Sequence, residues 1–325
     1  MRALHLPSLE IVDRPDPAPG PGQLLVQVHA AGLNRADLSQ RAGHYPAPPG
    51  WPQDIPGLEY AGEVIATGPG TTYFAPGERV MGLVGGGAMA ERLVVHQREA
   101  MAIPDGMTMP EAAAIPEAFL TAWDAIVRQG GGHGGHRVLM HAIGSGVGTA
   151  AAQLAPILGL TLIGTSRTAE KLDRCRALGM AHGVLTTEAD WPAQVGAPVD
   201  VIVDTLGGSY LAQNLALLAP RGRLVVLGLM AGRSADGVDL GLVLRHRLQV
   251  IGTAMRSRGT EERGVLLEAF TQEILPHFGR GLLRPIVETV RPMTDAAAAY
   301  DLLASNRTFG KVVLAWDAAA SPAPA

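Results

Sequence analysis

Cysteine is almost missing from this sequence, which has only Cys175 among its 325 residues. A single cysteine cannot form a disulfide within the chain, and it excludes a structural zinc site built from four cysteines. Chains without disulfides are typical of reducing compartments. The first 15 residues also contain no hydrophobic core of a signal peptide. Both observations predict a cytoplasmic protein.

Lysine is nearly as rare, because only two of the 26 positively charged side chains are lysines, Lys171 and Lys311. The chain has a formal net charge of −4, and it contains no run that is rich in lysine or arginine. Proteins that bind nucleic acids carry basic patches, so we do not expect nucleic acid as a main partner.

Charged residues are missing from one long stretch, since residues 138–166 contain no Asp, Glu, Lys or Arg. An apolar stretch of this length is one signature of a membrane span. Here glycines, Ser145, Gln153 and Pro156 interrupt the stretch and divide it into segments that are too short to cross a bilayer. Elements in the interior of α/β proteins are often equally apolar. We therefore expect no membrane partner.

The same stretch has the pattern of a strand, a glycine turn, a helix and a second strand. Residues 137–141 form a short apolar run, and a glycine-rich segment, residues 144–148, follows it directly. Residues 149–158 are mostly good helix formers, and residues 160–164 form the second apolar run. This order predicts the first βαβ unit of a Rossmann fold, which binds dinucleotides.

The glycines of the turn are Gly144, Gly146 and Gly148, with Ser145 and Val147 between them. Glycine permits the unusual backbone angles of a turn that leads a strand directly into a helix. The missing Cβ atoms also let a pyrophosphate approach the helix N-terminus, where free N–H groups favour an anion. We predict that Ser145, Gly146 and Val147 contact the cofactor.

The end of the second predicted strand indicates which dinucleotide binds. NAD-binding proteins place Asp or Glu about 20 residues after the glycines, where the carboxylate holds the ribose 2′-hydroxyl. This strand instead ends in Ser166 and Arg167, and Lys171 follows shortly afterwards. A hydroxyl, a guanidinium and an ammonium suit a 2′-phosphate, which a carboxylate would repel. We therefore predict NADP(H) as the cofactor.

The rest of the chain changes character near residue 115. Before that point, short alternating runs such as residues 24–30 and 93–96 are separated by proline and glycine clusters, which predicts a small β-barrel-like domain. Afterwards helices alternate with strands, for which we predict strands at residues 199–204, 223–227, 249–253 and 311–315 and helices at residues 260–278 and 295–303.

The last of these strands is too isolated to belong to the nucleotide-binding sheet. We therefore predict a discontinuous first domain, residues 1–115 and 256–325, and an inserted nucleotide-binding domain, residues 116–255. Residues 317–325 are rich in alanine and proline, and we expect them to fray.

Several stretches of the chain resemble a known family. Those between Gly32 and Gly232 read GLNRADLSQRAGHYPAPPG, IPGLEYAGEV, AAAIPEAFLTAWDAI, GSGVGTAAAQLA and DTLGGSYLAQNLALLAPRGRLVVLGLMAG, and EAFTQEILPHF and SNRTFGKVVL follow later. They resemble the medium-chain dehydrogenase/reductase superfamily, in particular its quinone oxidoreductase (zeta-crystallin-like) branch. The resemblance implies an α/β fold in which a doubly wound parallel Rossmann sheet is inserted in a GroES-like β-barrel catalytic domain.

Zinc alcohol dehydrogenases belong to the same superfamily, so their ligand positions need to be compared with this chain. The three catalytic ligand positions match Asn34, Leu58 and, approximately, Glu117. Leucine cannot bind zinc and asparagine binds it poorly, so no three-ligand site remains. His133 and His136, in the segment GGGHGGH, offer another metal candidate, which we interpret as a surface loop. We therefore predict a zinc-independent protein.

The resemblance also implies the position of the hydride acceptor. Tyr45 matches a tyrosine that lines the quinone site of related enzymes, and Asn34 matches an asparagine near the nicotinamide. We expect both at the acceptor, in a cleft between the two domains. Whether the Tyr45 hydroxyl donates a proton or only positions the acceptor remains open at this point.

Other cofactor contacts are implied by the resemblance alone. They are Thr121 near the nicotinamide ribose, Gly228 and Leu229 beneath the nicotinamide, and Asn306 and Lys311 in the closing segment. For Lys311, a charge at the edge of a strand is an equally good interpretation.

Three functions compete on these observations. The leading hypothesis is an NADPH-dependent quinone reductase that passes hydride from nicotinamide C4 to a quinone or an activated enone. An enoyl-thioester reductase is the second, although no basic cluster lies near Tyr45 in the sequence to bind CoA or a carrier protein. The third is an NADPH-binding structural or sensor protein. Relatives dimerise through the edges of their Rossmann sheets, so residues 249–253 predict a homodimer.

Overall fold

The computed structural model describes residues 1–316, so the predicted frayed end, residues 317–325, lies outside it. The strands in chain order are β1 (Arg2–His5), β2 (Glu10–Asp13), β3 (Gln23–Leu33), β4 (Glu59–Thr67), β5 (Arg79–Leu83), β6 (Arg92–His96), β7 (Ala100–Ala102), β8 (Arg137–Met140), β9 (Thr161–Ser166), β10 (His182–Leu185), β11 (Val199–Asp204), β12 (Leu218–Val226), β13 (Gln249–Gly252), β14 (Val287–Pro292) and β15 (Lys311–Ala315). The helices are α1 (Arg35–Arg41), α2 (Met109–Ala112), α3 (Pro116–Trp123), α4 (Gly146–Ile157), α5 (Ala169–Arg176), α6 (Leu211–Leu217), α7 (Leu240–His246), α8 (Thr260–Glu273), α9 (Leu275–Gly279) and α10 (Ala296–Ala304).

Two compact units divide the chain. The first unit joins Met1–Leu120 to the chain from Met255 onward, and the second unit is Thr121–Ala254. The first unit is therefore discontinuous, and the second is inserted into it. None of the helices in residues 1–316 has the length and apolarity that a membrane span requires.

The second unit contains a six-stranded sheet in which all strands are parallel, in the order β10-β9-β8-β11-β12-β13. The chain winds outward from β8 to β10, returns to the middle, and winds the other way from β11 to β13. This is the doubly wound Rossmann order, so the predicted fold is confirmed. In such a sheet, ligands bind beyond the carboxyl ends of the strands, where the winding reverses between β8 and β11.

Apolar strands hold this sheet together. Both faces of a parallel sheet are covered, so its central strands are buried almost throughout. Leu139, Ile163, Ile202 and Leu224, each from a different strand, are fully buried in one cluster, and Trp191 packs with them. The alternation of helix and strand that the sequence shows after residue 117 follows from this architecture.

The first unit is organised around β3, the longest strand. One edge of β3 pairs with β4 along most of its length. The other edge pairs with β6 through residues 23–27 and with β15 through residues 30–33. The sheet continues to β14 beyond β15 and through β5 to β7 beyond β4. The prediction that the last strand lies outside the nucleotide-binding sheet is therefore confirmed.

Two predicted helices differ from the observed ones. The single helix predicted over residues 260–278 is wrong, because the chain forms α8 and α9 with a break at Ile274. Pro276, in the first turn of α9, has no N–H to continue the hydrogen-bond pattern of α8. Helix α4 begins at Gly146 rather than at residue 149, so Gly146 and Gly148 of the glycine turn form its first turn.

Candidate active site

The glycine turn of the second unit forms the start of α4. The Ser145 hydroxyl accepts the N–H of Gly148 at 3.1 Å and thereby caps the helix. A Cβ on Gly148 would lie 2.2 Å from the carbonyl oxygen of Ile143, so only glycine fits there. Gly146 and Val147 are the first two helical residues, and their N–H groups have no acceptor within the helix. These free N–H groups can donate to an anion, and the predicted cofactor contact of both residues stays a prediction.

Lys171 lies across this turn. A Cβ on Gly144 would approach Cδ of Lys171 to 2.6 Å, so the lysine stem packs directly against the glycine. The half-buried lysine is in the first turn of α5, directly after β9. The fold therefore brings the Lys171 side chain to the glycine turn, 27 residues along the chain from Gly144.

Ser166 and Arg167 lie at the carboxyl end of β9, beside Lys171 in sequence. The buried Ser166 hydroxyl accepts the N–H of Thr168 at 3.1 Å, and the Ser166 carbonyl accepts the N–H of Thr186 at 2.9 Å. Arg167 is exposed. An exposed guanidinium and a fixed hydroxyl at this edge suit a phosphate group.

Three of the residues expected near the nicotinamide occupy other places in the second unit. Gly228 follows β12, and its N–H donates to the Asp204 carbonyl at 3.3 Å. Leu229, the next residue, is 50% exposed. The Thr121 hydroxyl is buried and takes no hydrogen bond within residues 1–316. Buried hydroxyls rarely remain without a partner, so a ribose or amide group of a cofactor fits this position.

A buried polar network behind the glycine turn was not predicted. His141 follows β8, and its ring joins the Thr165 hydroxyl at 2.9 Å to the Asn214 amide oxygen at 2.8 Å. The Asn214 amide group donates to Asp204 at 3.2 Å. The other Asp204 carboxylate oxygen accepts the N–H groups of Leu206 and Gly207.

This network has a defined direction of donation. Burial lowers the pKa of His141, so its ring is neutral and carries one N–H. Because the Asn214 amide nitrogen donates to Asp204, its oxygen accepts a hydrogen bond from the Nε2–H group of His141. The network therefore ties the ends of β8, β9 and β11 to α6. In the sequence, this network could have been suspected from the polar residues that stand at the ends of three apolar strands.

The first unit contains a buried ion pair that the sequence did not reveal. The Lys311 ammonium lies 2.5 Å from Glu59 Oε1, 2.5 Å from Asn34 Oδ1 and 3.0 Å from the Leu33 carbonyl. Lys311 is 5% exposed and Glu59 is 0% exposed. All three N–H donors of the ammonium are used within this unit. The interpretation of Lys311 as a charge at a strand edge is wrong, because β15 has neighbours on both sides.

The positions that match zinc ligands lie around this ion pair. The Asn34 amide donates to Glu59 at 2.9 Å and accepts from Lys311, so both of its polar atoms are engaged. The Leu58 side chain is buried, and it carries no atom that can bind a metal. Glu117 contributes its backbone N–H to Glu59 at 2.8 Å. Residues 1–316 contain no cluster of three or more His, Cys, Asp or Glu side chains that is arranged to hold a metal ion.

Arg256 fixes the segment that carries Tyr45, and no motif had singled it out. Its guanidinium donates to the carbonyls of Tyr45 and Gly85, both at 2.7 Å, and to the Gln40 side chain at 2.8 Å. The guanidinium carbon also lies 5.1 Å from the centre of the Tyr45 ring. Arg256 is 3% exposed, so the half-buried Tyr45 has a rigid support.

Two acids of the first unit have unusual protonation behaviour. Burial raises the pKa of Asp37 to about 6, although the Asn34 N–H stabilises its carboxylate at 2.8 Å. Burial and the charge of Glu59 raise the pKa of Glu117 to about 7. The sequence had presented Glu117 only as a possible metal ligand.

Asn306 and the histidine loop complete the predicted residues. Asn306 has φ of 60°, and its side-chain oxygen accepts a hydrogen bond from Arg35, at the start of α1.

His133 and His136 lie in a loop before β8, as predicted, with their ring centres 3.6 Å apart. Both line a cavity of about 350 Å³, together with Arg223 among others.

Comparison with known proteins agrees with this architecture. Residues 20–105 match the alcohol dehydrogenase GroES-like domain, and residues 146–271 match the zinc-binding dehydrogenase family. A quinone oxidoreductase of Pseudomonas aeruginosa is 34% identical over 94% of this chain and 95% of its own length. The structure of the Thermus thermophilus quinone oxidoreductase, also solved with NADPH, superposes with a TM-score of 0.83 at 33% identity, covering 97% of this chain and 100% of that one.

The chain also resembles a segment of a much longer protein. The pikromycin polyketide synthase component PikAII of Streptomyces venezuelae is 35% identical over 95% of this chain, which spans only 8% of that protein's length. The fold and the site define a nucleotide-dependent oxidoreductase of the GroES-plus-Rossmann type. The chain belongs to the medium-chain dehydrogenase/reductase superfamily, and its resemblance to quinone oxidoreductases is confirmed.

Proposed function

We propose that this protein is a zinc-independent, NADPH-dependent oxidoreductase that reduces a quinone or a similarly activated enone. The observation that carries the proposal is the buried cluster of Lys311, Glu59 and Asn34. A metal at the Asn34 position would have to displace an ammonium that is bonded to three oxygens. A protein without a metal electrophile suits acceptors that stabilise their own negative charge during reduction, as a quinone does.

The second unit supplies the cofactor site in this proposal. Bound NADPH would supply hydride from C4 of its nicotinamide. The N–H groups of Gly146 and Val147 bind the pyrophosphate at the start of α4. Lys171 and Arg167 bind the 2′-phosphate, and the Thr121 hydroxyl takes a ribose partner. The NADPH complex of the Thermus thermophilus relative supports this assignment.

The first unit supplies the acceptor site. Tyr45 forms part of its wall and positions the acceptor ring, and Arg256 holds the backbone of Tyr45 in place. Asn34 keeps its orientation because both of its polar atoms are bonded.

We also propose a cytoplasmic location, because the reducing conditions of the cytoplasm suit the buried, unpaired Cys175.

An enoyl-thioester reductase is the second candidate. The similarity to a segment of the PikAII polyketide synthase component is the observation that favours it. An enoyl thioester stabilises the negative charge of its reduced form less well than a quinone does. It therefore depends more on a proton donor in the site.

The second unit also offers a surface for a second copy of the chain. Strand β13 is an edge of the Rossmann sheet, and Val250 on it is 52% exposed. Leu240 and Leu244 of α7 are 73% and 79% exposed. Exposed apolar edges are hazardous unless another chain covers them, so we propose a homodimer that pairs through β13.

A panel of acceptors tests the proposed function. Purified protein is mixed with NADPH and, separately, with benzoquinones, cyclic enones and enoyl-CoA thioesters, and the loss of reduced nicotinamide is followed. We expect the highest kcat/KM with a quinone. A higher kcat/KM with enoyl-CoA would favour the second candidate. NADPH binding without turnover of any acceptor would refute both and leave a binding or sensor protein.

A further inference from the structure

The second unit contains a cavity that the proposed function does not use. Its volume is about 350 Å³, which lies within the range of about 300–1,000 Å³ that small-molecule sites occupy. Three segments of this unit line the cavity: the loop of His133 and His136, the start of β11, and residues 220–223 of β12. Among the described residues of the lining, Pro220 has the only apolar side chain. The lining therefore favours a charged ligand.

The cavity lies at the edge of the Rossmann sheet that is opposite to the glycine turn. Its histidine loop precedes β8, whereas Ser145 and the glycine turn follow β8. Asp200, which also lines the cavity, is the second residue of β11, and β8, β11 and β12 are parallel neighbours. The amino ends of parallel strands meet at one edge of the sheet, and dinucleotides bind at the other edge. A ligand in this cavity is therefore separate from the predicted cofactor.

An irregularity in β12 forms one wall of the cavity. Between two regular pairs of the ladder, β11 has one residue, Asp200, whereas β12 has four, residues 219–222. The extra residues form a bulge, a feature that often redirects side chains beside functional sites. Within the bulge, Arg221 has φ of 68°, a conformation that favours glycine. An arginine in this conformation is a strained feature of the kind that clusters at ligand sites.

Two arginines bring uncommitted donors to the cavity. The half-buried Arg223 donates one N–H, from Nη1, to the Gln129 carbonyl at 3.0 Å. A Cβ on Gly131 would lie 2.7 Å from the same nitrogen, so the guanidinium packs directly on this glycine. Nε and Nη2 of Arg223 have no hydrogen-bond partner within residues 1–316. The exposed Arg221 side chain forms no hydrogen bond or ion pair in that part of the chain.

The remaining polar groups of the lining leave this positive charge in excess. The Asp200 carboxylate accepts the backbone N–H of Arg137 at 2.8 Å, and within residues 1–316 it forms no ion pair with Arg221 or Arg223. Nδ1 of His136 is inaccessible to solvent and has no hydrogen-bond partner in the described chain. Protonated histidine donates from both ring nitrogens, so the two histidines can add donors to those of the arginines.

We propose that this cavity binds a small molecule that carries a phosphate group, and that Arg221 and Arg223 bind that group. The planar guanidinium donates two parallel hydrogen bonds to a phosphate and keeps its charge at any physiological pH. A phosphate with two negative charges balances both arginines, whereas a single carboxylate balances only one. The volume of about 350 Å³ also holds a small organic part of a phosphate ester.

Arg221→Gly is the main test variant, because it removes the guanidinium without straining the chain. Glycine adopts a φ of 68° more readily than arginine, so the variant should keep the stability of the wild type. Arg247→Gly is the matched control. Arg247 is also exposed and also has a positive φ, 56°, but it does not line the cavity. Both variants remove one positive charge from the same unit.

Binding is measured by ¹³C NMR of protein labelled at the histidine Cε1 atoms, without NADPH. Loss of a signal in His133→Gln or His136→Gln assigns the two rings. Inorganic phosphate, glycerol 3-phosphate, pyrophosphate and acetate are titrated separately, with sodium chloride keeping the ionic strength constant. We expect saturable shifts of both signals with the three phosphates and much weaker binding of acetate. Arg221→Gly should raise the Kd for phosphate by at least about tenfold, and Arg247→Gly should raise it by less than about twofold.

Asp200→Asn provides a result that a folding defect would not produce. The Asn side-chain oxygen can still accept the Arg137 N–H, but the negative charge in the lining is lost. We expect the Kd for phosphate to fall by about threefold, because a like charge near the ligand has been removed. Weaker binding in this variant would contradict the proposed position of the phosphate.

Lys171→Ala separates this cavity from the predicted cofactor site, which also attracts phosphate. We expect the shifts of His133 and His136 to be the same in Lys171→Ala as in the wild type. The proposal is overturned by shifts that do not saturate, by acetate that binds as tightly as phosphate, or by equal binding in Arg221→Gly and Arg247→Gly. A protein that binds phosphate in this cavity but reduces no acceptor would support this inference and refute only the proposed function.

Discussion

Replacing Lys311 with methionine tests the electrostatic core of the first unit. Methionine has a similar length and can occupy the space of the aliphatic lysine chain. It has no charge and no hydrogen-bond donor. The change removes three hydrogen bonds, to Glu59, Asn34 and the Leu33 carbonyl. It leaves Glu59, which is 0% exposed, as a buried carboxylate with two weaker partners, the Asn34 amide and the Glu117 N–H.

The expected loss in the free energy of unfolding follows from the unpaired Glu59 charge that remains after the substitution. Removing one partner of a buried ion pair costs about 3–5 kcal/mol, because the other charge stays buried without compensation. A second variant, Lys311→Met with Glu59→Gln, removes that charge. We expect the double variant to recover at least about 1 kcal/mol of this loss, since coupled neighbours show interaction energies of about 0.5–3 kcal/mol.

Urea unfolding provides the assay. The free energy of unfolding of the first unit is compared among wild type, both single variants and the double variant. Lys171→Met is the matched control, because it removes the other lysine of the chain from a half-buried position outside any ion pair with Glu59. We expect it to lower the free energy of unfolding by less than about 1 kcal/mol.

The same variants decide between two roles for Lys311. The sequence had placed it at the cofactor, whereas the structure directs its ammonium to Glu59. We expect Lys311→Met to leave the Kd for NADPH within about threefold of the wild type while the protein is folded. A loss of stability below about 1 kcal/mol, combined with NADPH binding that is tenfold weaker, would refute the structural role and restore the cofactor contact.

Four further predictions address the cofactor, the metal, the acceptor and the assembly. Lys171→Ala should weaken NADPH binding by about 1.5–3 kcal/mol, the value of one charge-assisted contact, and leave NADH binding nearly unchanged; equal losses for both would contradict the 2′-phosphate assignment. Activity should survive treatment with a strong chelator, and elemental analysis should find no stoichiometric zinc; one tightly held zinc per chain would refute this. Tyr45→Phe should keep most of the turnover, whereas Tyr45→Ala should mainly raise KM; a 10²-fold loss of kcat in Tyr45→Phe would make its hydroxyl the donor instead. Light scattering should give a homodimer, and a particle near 33.9 kDa at micromolar concentration would show a monomer.

The Rossmann half of the fold was predictable because its signals are local. The strand, the glycine turn and the helix from Arg137 to Ile157 are continuous in the chain, so their pattern can be recognised without any knowledge of distant contacts. The helix start was misplaced because Gly146 and Gly148 are poor helix formers, and the Ser145 cap overrides their propensity. The break at Ile274 was missed although Pro276 marked it.

The chemistry of the first unit was not predictable in the same way. Lys311 and Glu59 are 252 residues apart in sequence, and Arg256 and Gln40 are 216 apart. Neither pair forms a motif. The pairing of β15 with β3 brings the first pair together, and the segment after β13 brings Arg256 to the Tyr45 loop.

The sequence by itself determined the strand and helix order, the glycine turn, the basic residues at the end of β9 and the loss of zinc-type ligands at Asn34 and Leu58. These depend on residue type and local spacing. The tertiary structure alone decided that Lys311 pairs with Glu59 and that Glu117 has an unpartnered buried oxygen. Protonation and pairing depend on burial and on neighbours from distant segments, and neither exists until the chain has folded.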